Sequence, residues 1–290
     1  MDKNCNTFRL NQIKPNSSKY LTTKDFLVTG ERFELRYCQE FEMLITHLQP
    51  EAAHLSKYYE SDDYVSHSDS RKGWFQFVYQ TVKNYSLRKK IALVNRQNNS
   101  QGSLLDIGAG TGEFLRKAEK DGWKVTGVEP NTKARDLCAK KEIQCYENID
   151  SLAGQRFDVV TLWHVLEHMP DLQNVIKKLE DLVAEGGSLV IAVPNFNSYD
   201  AEYYNEYWAA FDVPRHLWHF SQKSFPKLFT QFRVVDKKPM WFDSFYVSLL
   251  SEKYRGNKFY VVGALLRGGI SNIKAMKTKE FSSIIYILKR

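Results

Sequence analysis

The pattern of apolar and polar residues predicts alternating strands and helices from about residue 104 to residue 193. Helical patterns follow most of the short apolar runs. Strands that alternate with helices indicate a mostly parallel sheet, with ligands bound at the carboxyl ends of its strands. We therefore predict an α/β core with strands at 104–107, 124–128, 143–146, 157–163 and 188–193 and helices at 113–121, from Pro130 to about Lys141 and at 171–184.

The flanking regions suggest further elements. Residues 73–96 carry apolar groups three or four positions apart, which predicts one long helix. Towards the other end, we predict a helix at 221–230 and strands at 232–238 and 284–288. On this basis the chain divides into an N-terminal helical and irregular extension, 1–98, and a cofactor-binding domain, 99–290, which contains an insertion at about 239–281.

A glycine-rich turn follows the first core strand. Gly108, Gly110 and Gly112 have the spacing G-x-G-x-G, and Glu113 stands where a dinucleotide-binding fingerprint needs its third glycine. Glycine lets the backbone turn sharply and lie against a ligand, and the helix that follows offers free N–H groups. Glu129 lies at the end of the next strand, where a carboxylate can accept two hydrogen bonds from a ribose diol. Alternatively, Glu129 only compensates the dipole of the helix that follows it.

Four segments, read together, resemble the class I S-adenosylmethionine-dependent methyltransferases over about residues 100–194. They are Leu105-Asp106-Ile107-Gly108-Ala109-Gly110-Thr111-Gly112, Val128-Glu129, Phe157-Asp158-Val159-Val160 and Gly186-Gly187-Ser188-Leu189-Val190-Ile191. The resemblance implies a Rossmann-like, doubly wound, seven-stranded, mostly parallel sheet whose last strand is antiparallel. It also implies that the glycine turn approaches the methionine part of the cofactor, that Glu129 holds the ribose, and that the adenine site lies near residues 147–149. The expected cofactor-binding residues are Asp106, Gly108, Ala109, Gly110, Gly112, Glu129, Pro130, Asn148 and Trp163.

A closer resemblance extends beyond the core. The segments Trp163-His164-Val165-Leu166-Glu167-His168 and Asp212-Val213-Pro214-Arg215-His216-Leu217 are similar to a bacterial subfamily near the ubiquinone-biosynthesis O-methyltransferases, of the methyltransferase type 23 kind. Its members often carry two Cys-x-x-Cys pairs, but Cys5 and Cys38 here lack their partners. Two cysteines cannot make a four-ligand zinc site, so we expect no structural zinc. A tyrosine-rich stretch also matches, and it forms either a lid over the cofactor or plain packing at the sheet edge: Tyr58, Tyr59, Tyr64 and His67.

Histidines supply the candidate catalytic groups. Methyl transfer from a sulfonium needs the acceptor held in line at near-attack distance, and an oxygen or nitrogen acceptor often needs a base. His164, His168 and His216 are the candidates, because histidine titrates near neutrality. His219, which lies between two aromatic residues, is a weaker candidate and is equally explained as a packed core residue.

The same histidines raise the question of a metal. His164-x-x-Glu167-His168 matches a zinc-protease motif, but it leaves a strand and meets Pro170, so it does not lie on the helix which that motif needs. In some related methyltransferases a Glu-x-x-Glu-His cluster at this place binds a divalent metal, and His164 replaces its first glutamate. We predict no metal ligands, with a divalent metal as the alternative.

Composition and charge indicate the size of the core, the cellular location and the kinds of partner to expect. Apolar residues make up 43% and charged residues 26% of the 290, so a large core is expected. We find neither a run of about 18 apolar residues nor a secretory signal, and the four cysteines are dispersed, so the expected location is cytoplasmic. The net charge is +7, and residues 231–290, with 12 Lys+Arg and 4 Asp+Glu, carry +8. This excess is either a solvated face or a surface for an anionic partner, such as a peripheral contact with a membrane.

We therefore expect an S-adenosylmethionine-dependent methyltransferase that acts at oxygen on a small-molecule, glycan or lipid-linked acceptor. Nucleic acid is not an expected partner, because no recognised binding module is visible. The alternatives are a nucleotide-dependent oxidoreductase or epimerase on a similar sheet, and a non-catalytic module that binds the same cofactor. Sequence does not identify the acceptor or the oligomeric state, since the fold and cofactor site serve many substrates.

Overall fold

The computed structural model of the protein describes residues 17–50, 57–58, 74–98 and 102–290, with side chains omitted for residues 74–79. The predictions for Cys5, Tyr59, Tyr64 and His67 concern residues outside these ranges. Among the described helices, none has the length and apolar character needed to cross a membrane.

Seven of the described strands form the central sheet: β4 (Ser103–Ile107), β5 (Lys124–Val128), β6 (Cys145–Tyr146), β7 (Phe157–Trp163), β8 (Val183–Pro194), β10 (Arg233–Pro239) and β11 (Ser283–Lys289). Their order in the sheet is β10-β11-β8-β7-β4-β5-β6. The pairs among β4, β5, β6, β7 and β8 are parallel, whereas β11 runs antiparallel to both of its neighbours. The predicted doubly wound sheet with an antiparallel last strand is thus confirmed.

Helices cover the sheet, and their ends follow from local sequence. Helix α2 buries Phe114, Leu115 and Ala118 on one face and ends just before Gly122. Helix α3 begins after Asn131, whose side chain accepts a hydrogen bond from the Ala134 amide. The described helices are α1 (Trp74–Asn95), α2 (Glu113–Lys120), α3 (Thr132–Ala139), α4 (Leu172–Leu182), α5 (Tyr199–Tyr204), α6 (Ser224–Leu228), α7 (Asp243–Tyr254) and α8 (Tyr260–Thr278).

The predicted insertion consists of two helices, α7 and α8. Its chain leaves the sheet at Pro239 and returns at Ser283. Pro239 pairs with Ile284, and Ser283 pairs with Pro194 at the carboxyl end of β8. Both junctions therefore lie at the sheet edge where β4, β5 and β7 also end, and the insertion stands beside the expected ligand site.

The N-terminal region differs from the predicted helical and irregular extension, because among its described helices and strands only α1 matches that prediction. Strands β1 (Ser17–Lys24), β2 (Arg32–Cys38) and β3 (Met43–Thr46) pair antiparallel with one another, and β3 also pairs with β9 (Trp218–His219). Their buried side chains pack against the segment that follows β8, in a cluster that includes Leu35, Leu44, Trp208 and Phe211. These strands depend on a partner more than 170 residues away, which local patterning does not show.

Candidate active site

The glycine turn joins β4 to α2. Gly108, Gly110 and Gly112 all have positive φ, at 75°, 54° and 75°. A Cβ on Gly108 would lie 2.3 Å from the Cγ2 of Val165, so only glycine fits there. A Cβ on Gly110 would meet nothing within 4 Å. The turn is therefore closed against the protein at Gly108 and open at Gly110, where a ligand can reach the backbone.

Glu129, at the end of β5, holds its carboxylate against this turn. Its Oε2 accepts a hydrogen bond from the Gly110 amide at 2.8 Å, and its Oε1 accepts one from the Asn131 amide at 2.9 Å. Helix α3 already has its cap in the side chain of Asn131. Compensation of a helix dipole alone therefore does not describe Glu129, because one carboxylate oxygen accepts from the N-cap amide of α3 while the other reaches back to the glycine turn.

A buried acid lies beneath the turn. Asp106 is almost fully buried and accepts a hydrogen bond from Thr161 Oγ1 at 2.6 Å. Burial raises the pKa of Asp106 to about 7, although the Thr161 hydrogen bond and the positive charge of Lys90 oppose this rise. Asp106 can therefore carry a proton or a negative charge near neutral pH, depending on the cation placed beside it.

Lys90, on α1, supplies a positive charge that acts on this acid, and it is not among the residues predicted from the sequence. Its Nζ lies 4.4 Å from the centroid of the Trp163 ring, and burial lowers its pKa. Trp163 Nε1 is buried with no hydrogen-bond partner among the described residues. The sequence did contain a signal, because Lys90 shares a helix face with the apolar residues Leu87, Ile91 and Val94.

Three further predicted cofactor residues occupy different environments. Ala109 is buried in the turn, and its amide donates to the Val128 carbonyl at 3.0 Å. Pro130 is exposed, and its carbonyl accepts from Arg135. Asn148 is also exposed, and its side chain caps the short 3-10 turn Ile149–Leu152 by accepting from the Ser151 amide. Pro130 and Asn148 thus have local structural roles in addition to any contact with a cofactor.

His164 directly follows β7 and has a left-handed backbone, with φ 57°. Its Nδ1 lies 3.3 Å from Glu167 Oε1, and its Nε2 lies 3.0 Å from Asp243 Oδ2. Burial favours the neutral ring, but the hydrogen bonds to the two carboxylates outweigh it and raise the pKa of His164 to about 10. His164 is therefore an imidazolium at neutral pH, which argues against its predicted role as a base.

His168 and His216 come together across the site, with ring centroids 4.5 Å apart. The Nδ1 of His168 donates to the Arg215 carbonyl at 3.1 Å, and the Nδ1 of His216 donates to the Ala210 carbonyl at 2.9 Å. In the neutral form of His168 the lone pair is then on Nε2. Burial, assisted by the neighbouring His216, lowers the pKa of His168 to about 4, so His168 is neutral at pH 7.

Glu167 connects the histidines. It is buried, and its Oε2 has no hydrogen-bond partner among the described residues. Glu167, His168 and His216 each offer a ligand atom, and these atoms lie within 4.8 Å of one another. A carboxylate with two imidazoles is a donor set that fits a divalent cation. The expectation that this site uses no metal stays a prediction.

The loop that carries His216 is held by buried charges. Arg215 pairs with Asp25 at 2.8 Å and with Asp212 at 2.6 Å, and it donates to the carbonyl of Tyr58. Tyr58 itself is buried against Phe33. This network joins the N-terminal sheet to the histidine loop. His219 packs against Phe211 and lies 3.1 Å from Thr46 Oγ1, which supports its interpretation as a core residue.

A mostly parallel sheet with an antiparallel final strand, a glycine turn after β4 and a carboxylate after β5 together define a class I methyltransferase domain. Comparison with known families agrees, because residues 79–233 match a family model described as a methyltransferase domain. The chain belongs to this family. The family and fold predicted from the sequence are therefore confirmed, and with them the S-adenosylmethionine class of cofactor.

Individual relatives are more distant. The chain is 30% identical over 118 residues to the ubiquinone biosynthesis O-methyltransferase of Coxiella burnetii (strain Dugway 5J108-111). The matched residues make up 37% of this chain and 50% of the relative. The chain is also 34% identical over 104 residues to the enzyme of the same name from Klebsiella pneumoniae, and that match covers 32% of this chain and 43% of the relative. The chain thus spans about half the length of the curated relatives it matches. A crystal structure of coclaurine N-methyltransferase superimposes on this chain with a TM-score of 0.50 and 12% sequence identity. The superposition covers 70% of this chain and 72% of the coclaurine N-methyltransferase chain, and it shows a similarity of fold alone.

Proposed function

We propose that this protein is an S-adenosylmethionine-dependent methyltransferase that methylates an oxygen of a small-molecule, glycan or lipid-linked acceptor. The observation that carries the proposal is the Glu129 carboxylate, held 2.8 Å from the Gly110 amide beside a turn that is open at Gly110. A ribose diol entering there would donate to the lone pairs that remain on the two Glu129 oxygens.

The polar atoms around the turn fit the rest of the cofactor. The amino-acid end of S-adenosylmethionine carries an ammonium and a carboxylate, and the site offers the acid Asp106 and the cation Lys90 to meet them. The indole N–H of Trp163 is buried without a partner among the described residues and is a further donor. When bound, the cofactor supplies the reactive methyl group on a sulfonium, and the protein has to position it.

The histidine cluster supplies proton chemistry on the acceptor side. A base must be unprotonated at the working pH, and His168 is neutral at pH 7 because burial lowers its pKa to about 4. Since an efficient base has its pKa near the working pH, the proposal requires that the bound acceptor raise the pKa of His168. His164 instead binds Glu167 and Asp243 as a cation and so orients both carboxylates. In this proposal His168, with His216 beside it, receives the acceptor proton through Nε2.

The names of the relatives support oxygen as the acceptor atom. The curated relatives are named as O-methyltransferases, and they match about a third of this chain. A cytoplasmic protein with peripheral membrane contact would meet a lipid-linked acceptor at the membrane surface.

Calorimetric titration of the purified protein with S-adenosylmethionine, S-adenosylhomocysteine and NAD tests the proposal without knowledge of the acceptor. We expect the first two to bind and NAD not to bind. Binding of NAD alone would assign Glu129 to a dinucleotide ribose and would refute the proposal. Turnover of S-adenosylmethionine across a panel of hydroxylated acceptors then separates an enzyme from a binding module.

A further inference from the structure

Helix α8 shows its large apolar side chains to solvent. Its buried face consists of small or polar residues: Ala264, Gly268, Ser271, Asn272 and Ala275. The opposite face carries Leu266 and Ile273, which are 61% and 64% exposed. Five further apolar residues extend this exposed surface, which together with Leu266 and Ile273 we call the α8 face: Phe259, Val261, Val262, Leu265 and Met276. A helix that only completes a monomer has the reverse arrangement, so the α8 face requires a partner.

The inward face of helix α8 packs against the protein and forms hydrogen bonds with it. Helix α8 packs on α7, and a Cβ on Gly268 would lie 2.9 Å from the Phe245 Cα, so the two backbones are in close approach. Ser271 donates to the buried Asp200, and Asn272 donates to the Trp241 carbonyl. These polar contacts fix the rotation of the helix. The apolar side chains cannot turn inward without breaking them.

Positive charge surrounds the α8 face. Residues 253–279 contain seven Lys and Arg residues and no Asp or Glu. Several of these cations lie along aromatic rings beside the helix: Lys253 is 5.2 Å from the ring centroid of Tyr260, Lys274 is 3.8 Å from that of Tyr199, and Arg267 is 4.1 Å from that of Tyr203. An apolar stripe flanked by cations complements a surface with an apolar interior and anionic head groups.

We propose that the α8 face docks on an anionic lipid bilayer, with helix α8 lying in the plane of the interface. A second copy of the chain is less compatible, because a symmetric contact would bring two such uncompensated clusters of seven cations together. A bilayer that contains phosphatidylglycerol instead places negative charge opposite every cation, while the apolar side chains enter the boundary between head groups and acyl chains.

The position of this surface links it to the candidate active site. Helix α7, against which α8 packs, begins at Asp243, and the Asp243 carboxylate holds His164. Docking therefore brings the carboxyl edge of the sheet close to the membrane, where a lipid-linked acceptor would be presented. This consequence for the acceptor rests on the proposed methyltransferase function, whereas the membrane contact itself does not.

Cosedimentation with vesicles tests the docking. The probes are vesicles of phosphatidylcholine with and without phosphatidylglycerol, at low and at high salt. The test variants are Leu266→Gln/Ile273→Gln and Lys258→Gln/Lys277→Gln. Matched controls elsewhere on the surface are Leu48→Gln/Leu137→Gln and Lys120→Gln/Lys133→Gln. All the exchanged side chains are exposed, so each variant should fold, and its thermal unfolding and S-adenosylhomocysteine binding are measured alongside.

We expect the protein to bind the anionic vesicles, and we expect this binding to weaken as the salt concentration rises. The partition coefficient of the apolar test variant should be at least about tenfold lower. The control variants should bind as the unmodified protein does. The charge variant should bind more weakly and lose part of the salt dependence. Absence of cosedimentation at low salt would overturn the proposal, and so would equal binding by the apolar test variant. A dimer that this variant dissociates, without any vesicle binding, would assign the face to self-association. Cofactor binding in the same samples shows separately whether the methyltransferase assignment holds.

Discussion

Removal of the Glu129 carboxylate is the most direct perturbation of the candidate cofactor site. Its two oxygens accept from the amides of Gly110 and Asn131, at 2.8 and 2.9 Å, on the open side of the glycine turn. We expect Glu129→Ala to abolish most of the affinity for S-adenosylhomocysteine, and Glu129→Gln to reduce it less, because glutamine keeps the shape and one acceptor oxygen.

The magnitude follows from the hydrogen bonds that a ribose diol would make. Each hydrogen bond to a charged acceptor contributes about 1.5–3 kcal/mol, so the loss of two costs at least about 3 kcal/mol. Since about 1.4 kcal/mol corresponds to tenfold, Glu129→Ala should bind at least about 100-fold more weakly. Glu129→Gln loses one such bond and should bind about tenfold more weakly. The protein should lose only about 1 kcal/mol of stability, because water can replace the carboxylate at the two amides.

Isothermal titration calorimetry with S-adenosylhomocysteine measures both variants, and circular dichroism checks their folding. Glu185→Gln is the matched control, since Glu185 lies near the start of β8, away from the carboxyl edge of the sheet, and its largely exposed carboxylate lies 3.9 Å from Arg290. It should bind as the unmodified protein does. If folded Glu129→Ala binds with unchanged affinity, the ribose is not held by Glu129 and our interpretation of the turn is refuted.

Three further outcomes are expected. His168→Gln should lower turnover by about 10²–10⁴-fold while S-adenosylhomocysteine still binds in calorimetry, and unchanged turnover would remove His168 as the base. Because the pKa of His164 is raised to about 10, its ion pairs stabilise the fold below about pH 6.5 and this contribution is lost as the pH rises towards 10. Asp243→Asn should flatten this slope in urea unfolding, and an unchanged slope would contradict the assignment. Asp25→Asn should cost about 3 kcal/mol because it leaves a buried guanidinium less compensated, whereas Glu34→Gln, in a partly exposed pair with Lys19, should cost under about 1 kcal/mol, and equal losses would refute this account.

The acceptor side was harder to predict than the cofactor side. Two carboxylates keep His164 positively charged, and only Glu167 is near it in the sequence. Asp243, which makes the shorter contact, lies 79 residues away, and no local pattern predicts it. Lys90 is a similar case, since its helix precedes the glycine turn and nothing local shows that its ammonium reaches Trp163. A lysine within an apolar helix face was the one available sign.

The arrangement at the N-terminus also depended on distant residues. Strand β3 pairs with only two residues of β9, and Arg215 reaches Asp25 across 190 positions. Such short, non-local pairings leave no periodic pattern for a reader of the sequence to find. For the same reason Arg215, which belongs to a motif together with His216, was not recognised as the residue that anchors the loop.

The features that the residues alone were enough to predict are local or follow from topology. Alternating apolar runs and helical patterns imply the parallel sheet, and the parallel sheet brings the ends of β4 and β5 together, so the glycine turn and Glu129 could be placed beside each other. Protonation states, the His168–His216 pair and the outward-facing apolar side of α8 were settled only by the folded chain. They depend on burial and on which distant side chains meet, and both of these arise from the packing of the complete fold.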